Sequence, residues 1–248
     1  MRMLAFGKRN TKEILRDPVT LIFGLAFPLI LLGLFSIINA AIPAEANNTM
    51  FEPTHMAPGV AMVGNCFMAM FSGLLLAKDR TSSFLMRLFT SPMSAADFLL
   101  GYTLPMLAMA MAQSLITLLV AVFLGLPFSM NILVAVLTLI PIAIIFIGIG
   151  LLCGSVMNDK AVGGICGALL TNVAGFFSGV WIPIDMIGGA FLAVSKALPF
   201  FHAAEAARRA IAGDFGAIWP HLGIVCAYAL VIYVAAVVVF GRKMHGDK

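Results

Sequence analysis

Five stretches of this chain, residues 18–44, 53–77, 98–158, 161–184 and 215–241, contain no Asp, Glu, Lys or Arg. An apolar run of about 20 residues is long enough to cross the hydrocarbon core of a bilayer as a helix. The third stretch holds 61 residues, enough for two spans, and Gly-Leu-Pro-Phe-Ser-Met-Asn at 125–131 supplies the turn residues that split it. The sequence therefore predicts six spans, near 20–41, 58–77, 98–124, 131–153, 161–182 and 219–241. Helices are expected because lipid offers no partner to an unpaired backbone group, and the segments lack the alternation of barrel strands. The predicted fold class is an all-α membrane protein with one transmembrane domain over residues 1–248. A charged fraction of 10% and a mean hydropathy of +1.06 leave no room for a separate soluble domain.

Orientation follows from the basic residues. Twelve of the 15 Lys and Arg fall in the N-terminal segment, the 78–97 and 154–160 loops and the C-terminal tail, while the 42–57 and 125–130 loops have none. The positive-inside rule then puts both termini in the cytoplasm. The net charge of +4 reflects this topology, and no basic patch with interleaved aromatics points to nucleic acid. The first apolar run exceeds the core of a cleavable signal and follows a polar lead, so it reads as an uncleaved span. Cys66, Cys153, Cys166 and Cys226 all fall inside spans without paired spacing, which disfavours disulfides and zinc.

Residues 182–218 are too apolar for an ordinary loop, and a seventh span stands as the alternative to a re-entrant segment. Their apolar core is about 16 residues with Lys196 in the middle, and a mid-membrane lysine costs roughly 2.5–3.5 kcal/mol on insertion scales. The expectation is a short helical hairpin over 186–206 that dips into the outer leaflet and returns, broken at Gly188, Gly189 and Pro199.

Enzyme chemistry finds little support. His55, His202, His221 and His245 have no Cys, Asp or Glu at ligand spacing on a span, so no metal site is expected. In Gly-Phe-Phe-Ser-Gly (175–179), Phe176 stands where an intramembrane serine protease would have glycine two residues before its serine, so Ser178 reads as a small packing residue. Span interiors free of carboxylates also disfavour aspartyl proteases and proton-coupled antiporters. No phosphate-cradling GxxxxGK[ST] loop occurs, so no cofactor is expected in this chain.

Gly163, Gly167, Thr171, Gly175 and Gly179 recur every four residues along span 5. Such a small-residue stripe allows close helix packing, within the chain or at a subunit interface or transport path. Residues 1–17 place Met3, Leu4, Phe6, Ile14 and Leu15 among five basic residues and read as an amphipathic helix on the inner leaflet, facing membrane lipid. Residues 78–97 break the apolar pattern with a basic segment. Thr81, Ser82 and Ser83 offer N-caps, Phe84, Leu85, Leu88 and Phe89 surround Arg87 on a short helix, and Ser91-Pro92 stops it. Ser94, with Asp97 three residues on, restarts a helix into span 3. A short helix with exposed apolar residues around an arginine suits docking into a groove on a soluble partner.

This stretch, Asp-Arg-Thr-Ser-Ser-Phe-Leu-Met-Arg-Leu-Phe-Thr-Ser-Pro-Met-Ser, resembles the coupling segment of the type 2 ABC export permeases. Residues 178–208, from Ser-Gly-Val-Trp-Ile-Pro to Ala-Ala-Arg, resemble that family's late signature. Ser82 stands where the family usually has Gly, and Tyr102 where Lys often follows Leu-Leu-Gly. The resemblance implies two six-span subunits, identical or related, each docked to a separate ABC ATP-binding subunit, two copies in all, which hold ATP and Mg. It implies that Phe84, Leu85, Arg87, Leu88, Phe89 and Ser91 contact the ATPase, and that the 186–206 hairpin with Pro183, Lys196 and Pro199 forms an extracellular gate. It further implies export and a bacterial plasma (inner) membrane. Uncharged spans rich in Met and Phe suit a lipophilic cargo, a drug or lipid-like molecule, by desolvation. An ATP-independent channel or secondary carrier and a polysaccharide or glycolipid export permease stand as alternatives.

Overall fold

Lipid-compatible helices account for nearly the whole architecture. The structure, a computed structural model, describes residues 2–43, 49–82 and 93–246, and no strand occurs among them. Six segments are long and apolar enough to cross a membrane: Thr20–Ala41, Pro53–Thr81, Ala95–Phe123, Asn131–Val156, Asp159–Phe177 and Ile218–Met244. Helix α1 (Arg2–Arg16) leads into α2 (Pro18–Ala41), the first span. Pro18 can open α2 because a first-turn residue needs no amide partner. Helices α3 (Pro53–Gly64) and α4 (Cys66–Thr81) make the second span. At Asn65 between them the backbone stays helical (φ −66°, ψ −16°), with its N–H bonded to Met62 O at 3.1 Å, so the span tightens without unwinding.

Helix α5 (Ala95–Phe123) is the third span, and α6 (Asn131–Thr138) with α7 (Ile140–Val156) the fourth. The fifth comprises α8 (Asp159–Val162), a π-helical stretch Gly163–Leu169 and α9 (Leu170–Phe177). It ends at Phe177 rather than near 182, because Gly179 takes the left-handed conformation (φ 75°) and turns the chain. Helices α10 (Ile184–Ile187), α11 (Gly189–Ala197) and α12 (Pro199–Ala212) precede α13 (Ile218–Gly246), the last span.

The second span is the centre of the bundle. Its most apolar window is 83% buried, against 17% for the last span, whose surface is left to lipid or another chain. Helices α4 and α7 cross there on glycines: a Cβ at Gly150 would collide with Ala69 O, one at Gly154 with Gly73 O, and one at Gly73 would lie 2.7 Å from Gly150 O. Backbones approach this closely only where side chains are missing. Ser72 Oγ donates to Ile147 O across the same crossing (3.3 Å).

Both chain ends lie at one end of the bundle, since Phe98 packs against Phe6 (5.6 Å between ring centroids) and against Phe240 (6.1 Å). At the other end, residues 183–212 form three helices instead of a loop. Gly188, with a positive φ (64°) and extended ψ (−159°) that only glycine adopts readily, separates α10 from α11, which opens on a second positive-φ glycine, Gly189 (φ 54°). Leu198 is extended ahead of Pro199 and separates α11 from α12, as the residue before a proline prefers. Ala203, Ala204, Ala206, Ala207 and Ala210 are fully buried and let α12 pack closely on α3, α6 and α13.

Candidate functional site

The proposed docking residues Phe84, Leu85, Arg87, Leu88, Phe89 and Ser91 lie outside the described residues, but both flanks of their segment are described. Its leading flank is the last turn of α4, where Asp79 is 2% exposed. Burying a carboxylate costs several kcal/mol unless its oxygens are matched, and here three bonds match them. Arg9 of α1 donates Nη1 to Oδ2 (2.5 Å) and Nη2 to Oδ1 (2.8 Å), a two-pronged pair, and Tyr102 Oη of α5 donates to Oδ2 (2.7 Å). Tyr102 therefore contributes a hydrogen bond at the position where the resemblance set it apart from the family.

The residue after Asp79 turns to a different neighbour. Arg80 donates to Ser155 O and, at 2.5 Å, to Met157 O, where the last turn of α7 leaves carbonyls without helical partners. The trailing flank begins α5 with a full capping box. Asp97 N donates to Ser94 Oγ (3.2 Å) and Ser94 N to Asp97 Oδ2 (3.0 Å).

Helix α1 is held along its whole buried face. The Phe6 ring meets Tyr102 edge-on at 5.0 Å, over Gly101, where a Cβ would come within 2.5 Å of that ring. Buried Asn10 donates to Gly101 O (3.0 Å). On its outer side Arg9 also pairs with Glu13 (2.6 Å), and Lys78 reaches the same carboxylate (3.7 Å). The 83–92 segment is thus bracketed by contacts to α1, α5 and α7.

A second polar cluster sits at the opposite end. Arg208 of α12 is nearly buried, donates Nε to His55 O (3.1 Å) and faces Glu205 at 3.6 Å, while its Nη2 has no hydrogen-bond partner among the described residues. Burial lowers the proton affinity of this guanidinium and Glu205 raises it, with a net fall from the ordinary value. Glu205 also pairs with Arg209 at 2.8 Å. His202 joins the segment before α12, one ring nitrogen bonding Lys196 O and the other His221, both at 2.8 Å. Of the residues expected in a gate, Pro183 precedes α10, Lys196 is an exposed residue in the last turn of α11, and Pro199 is buried at the start of α12.

The stripe of span 5 lies toward the less exposed side of the helix: Gly163, Gly167, Thr171 and Gly175 are each followed by an exposed residue. The stretch Gly163–Leu169 of this span is π-helical. A Cβ on Gly163 would meet open space, and one on Gly167 the side chain of Met70 (2.7 Å). Thr171 is buried, Gly175 lies under the Trp181 indole, and Gly179 is beyond the helix end. Among the described residues a close backbone contact falls at α4 and α7, and Gly150-x-x-x-Gly154 was its signal in the sequence. Sequence reasoning also missed the Arg9–Asp79 pair, whose partners lie 70 residues apart with no motif to join them.

No cluster of three or more metal-ligating side chains occurs among the described residues. The arrangement is a framework of polar contacts that joins helices. A family model described as ABC-2 type transporter matches residues 1–211. No curated protein matches the chain.

Proposed function

The chain belongs to the ABC-2 type transporter family, and we propose on that premise that it is the membrane half of an ATP-driven exporter of lipophilic compounds. A transport component of this kind has no chemistry of its own. Its motor is a separate ABC ATP-binding subunit, present in two copies that hold ATP and Mg, and a second permease chain, identical or related, completes the path. The motor docks on residues 84–91, with Phe84, Leu85, Leu88 and Phe89 as apolar contacts, Arg87 as the ion-pair donor and Ser91 at the end of the helix.

One observation carries this reading: the segment leaves α4 where Asp79 is held by Arg9 and Tyr102 and Arg80 grips the end of α7, and it enters α5 through the Ser94–Asp97 capping box. A load on 84–91 is therefore shared by α1, α4, α5 and α7 and reaches the glycine crossing at the bundle centre. The other elements follow from the same reading. Helix α1 lies along the membrane surface with its basic residues toward lipid headgroups. Residues 186–206 enter the leaflet at the far end and, with Pro183, Lys196 and Pro199, close the path there. The excess of Lys and Arg at the α1 end supports cytoplasmic termini in a bacterial plasma membrane.

The test is a mild-detergent pull-down of the tagged chain from its native membrane, with nucleotide-dependent transport measured in parallel. The expected result is a co-purifying ATPase that Arg87→Glu detaches or uncouples without affecting membrane insertion. A chain that purifies alone and moves cargo without ATP would make it a carrier or channel, and transport of glycolipid in place of small lipophiles would select the polysaccharide-export alternative.

A further inference from the structure

Where α1 turns into α2, the two helices and α4 and α5 line a half-open cavity of about 750 Å³, within the usual range of small-molecule sites. Its floor is apolar: Phe71 and Leu75 of α4 and Met106 of α5. Its rim is charged, with Arg9, Lys12, Arg16 and Lys78 against Glu13 and Asp17. Arg9 is engaged by Asp79 and Glu13, and Glu13 in turn meets Lys78 only at 3.7 Å. Asp17 accepts from Thr20 Oγ1 (2.7 Å). Among the described residues, Lys12 and Arg16 have no carboxylate within ion-pair distance. The rim therefore carries excess positive charge above an oily base.

Those two properties together select the ligand class. A free inorganic anion would be matched by the rim but not by the floor, and a neutral apolar molecule by the floor but not the rim. The cavity also stands at the membrane boundary, one turn before the apolar body of α2 and at the end of α4. Phe23, three residues after rim residue Thr20 and so on its side of α2, is exposed, as is Ile22 beside it, which gives an acyl chain a surface to follow.

We infer that this cavity binds the anionic headgroup of a membrane phospholipid, with its phosphate between Lys12, Arg16 and Lys78 and the start of its acyl chain over Phe71, Leu75 and Met106. The bound lipid would fill the corner between α1 and the bundle and hold α1 against α4 beside the Arg9–Asp79 pair. The inference does not depend on nucleotide-driven export.

The experiment uses the full chain in detergent, titrated with phosphatidylglycerol, phosphatidylcholine or inorganic phosphate, with bound ligand counted by native mass spectrometry. The variant Lys12→Gln/Arg16→Gln/Lys78→Gln removes three exposed cations from the rim. A charge-matched control, Lys8→Gln/Lys160→Gln/Lys243→Gln, removes three exposed cations elsewhere. Phosphatidylglycerol should bind at least about tenfold more tightly than phosphatidylcholine, and the rim variant should lose on the order of 100-fold while the control stays within about threefold. Equal losses in the two variants would overturn the site in favour of diffuse surface charge. Equal binding of the two lipids would overturn the headgroup assignment, and inorganic phosphate binding as tightly as phosphatidylglycerol would make the ligand a soluble anion.

Discussion

Replacing Arg9 with Met should loosen α1 far more than its place on a short terminal helix suggests. The side chain of its partner, Asp79, is 3% exposed while that of Arg9 is 35% exposed. Removing one member of a fully buried pair costs about 3–5 kcal/mol, and the solvent around Arg9 brings that down to about 2–3 kcal/mol. Most of the cost is the carboxylate, left with Tyr102 as its remaining charge-assisted bond. Asp79→Asn is milder, at about 1 kcal/mol, because the amide still accepts from Tyr102 and Arg9 keeps Glu13 and water. The assay is amide hydrogen exchange on the detergent-purified chain, comparing α1 with α7 as an internal reference. Opening of α1 should rise about 30- to 150-fold in Arg9→Met and about fivefold in Asp79→Asn. The double variant should fall short of the sum of the singles by about 1 kcal/mol or more. Additivity within about 0.5 kcal/mol, or a larger effect for Asp79→Asn, would refute the claim that this pair fastens α1 to the bundle.

Two further results are expected from thermal unfolding in detergent. Gly150→Leu should destabilise by about 3 kcal/mol or prevent assembly, since its side chain would have to enter Ala69 O and Ser72 Oγ. Gly33→Ala, where a Cβ meets nothing, should be neutral or stabilising by up to about 1 kcal/mol, and equal effects at the two sites would discard the close crossing. Glu205→Ala should cost about 2 kcal/mol by leaving nearly buried Arg208 without its counter-charge, more than Arg208→Met, which leaves Glu205 paired with Arg209; the reverse order would refute that account.

The six spans were legible because lipid imposes its requirement on composition alone: every residue of a span is asked to be apolar, so five charge-free stretches and one turn of Gly, Leu and Pro nearly suffice. The breaks at Gly188, Gly189 and Pro199 were legible for a local reason too, since positive-φ backbone and a missing amide are written in single residues. Interior contacts were harder to read. The stripe from Gly163 to Gly179 lists small residues without naming what packs on them, and in the folded chain the side chains of Met70 and Trp181 lie over Gly167 and Gly175. Gly150 and Gly154 carry the same motif among bulky neighbours, where spacing alone does not set them apart. The Arg9–Asp79 pair was out of reach because a charge near a span end is ordinary, and only the folded chain reveals which of those charges is buried.

Asp79 and Arg80 are neighbours on α4, and consecutive helical residues point about 100° apart around the axis. One grips α1 and the other grips the end of α7. Turning α4 about its own axis in either sense would pull one of the two grips out of reach, so rotation is locked while both hold. A swing about the Gly73–Gly150 contact is opposed as well, because the grips lie beyond that pivot at the end of α4, where even a small tilt would stretch them. With both grips closed, that end of the central span is tied to α1 and α7 and the three can shift only together.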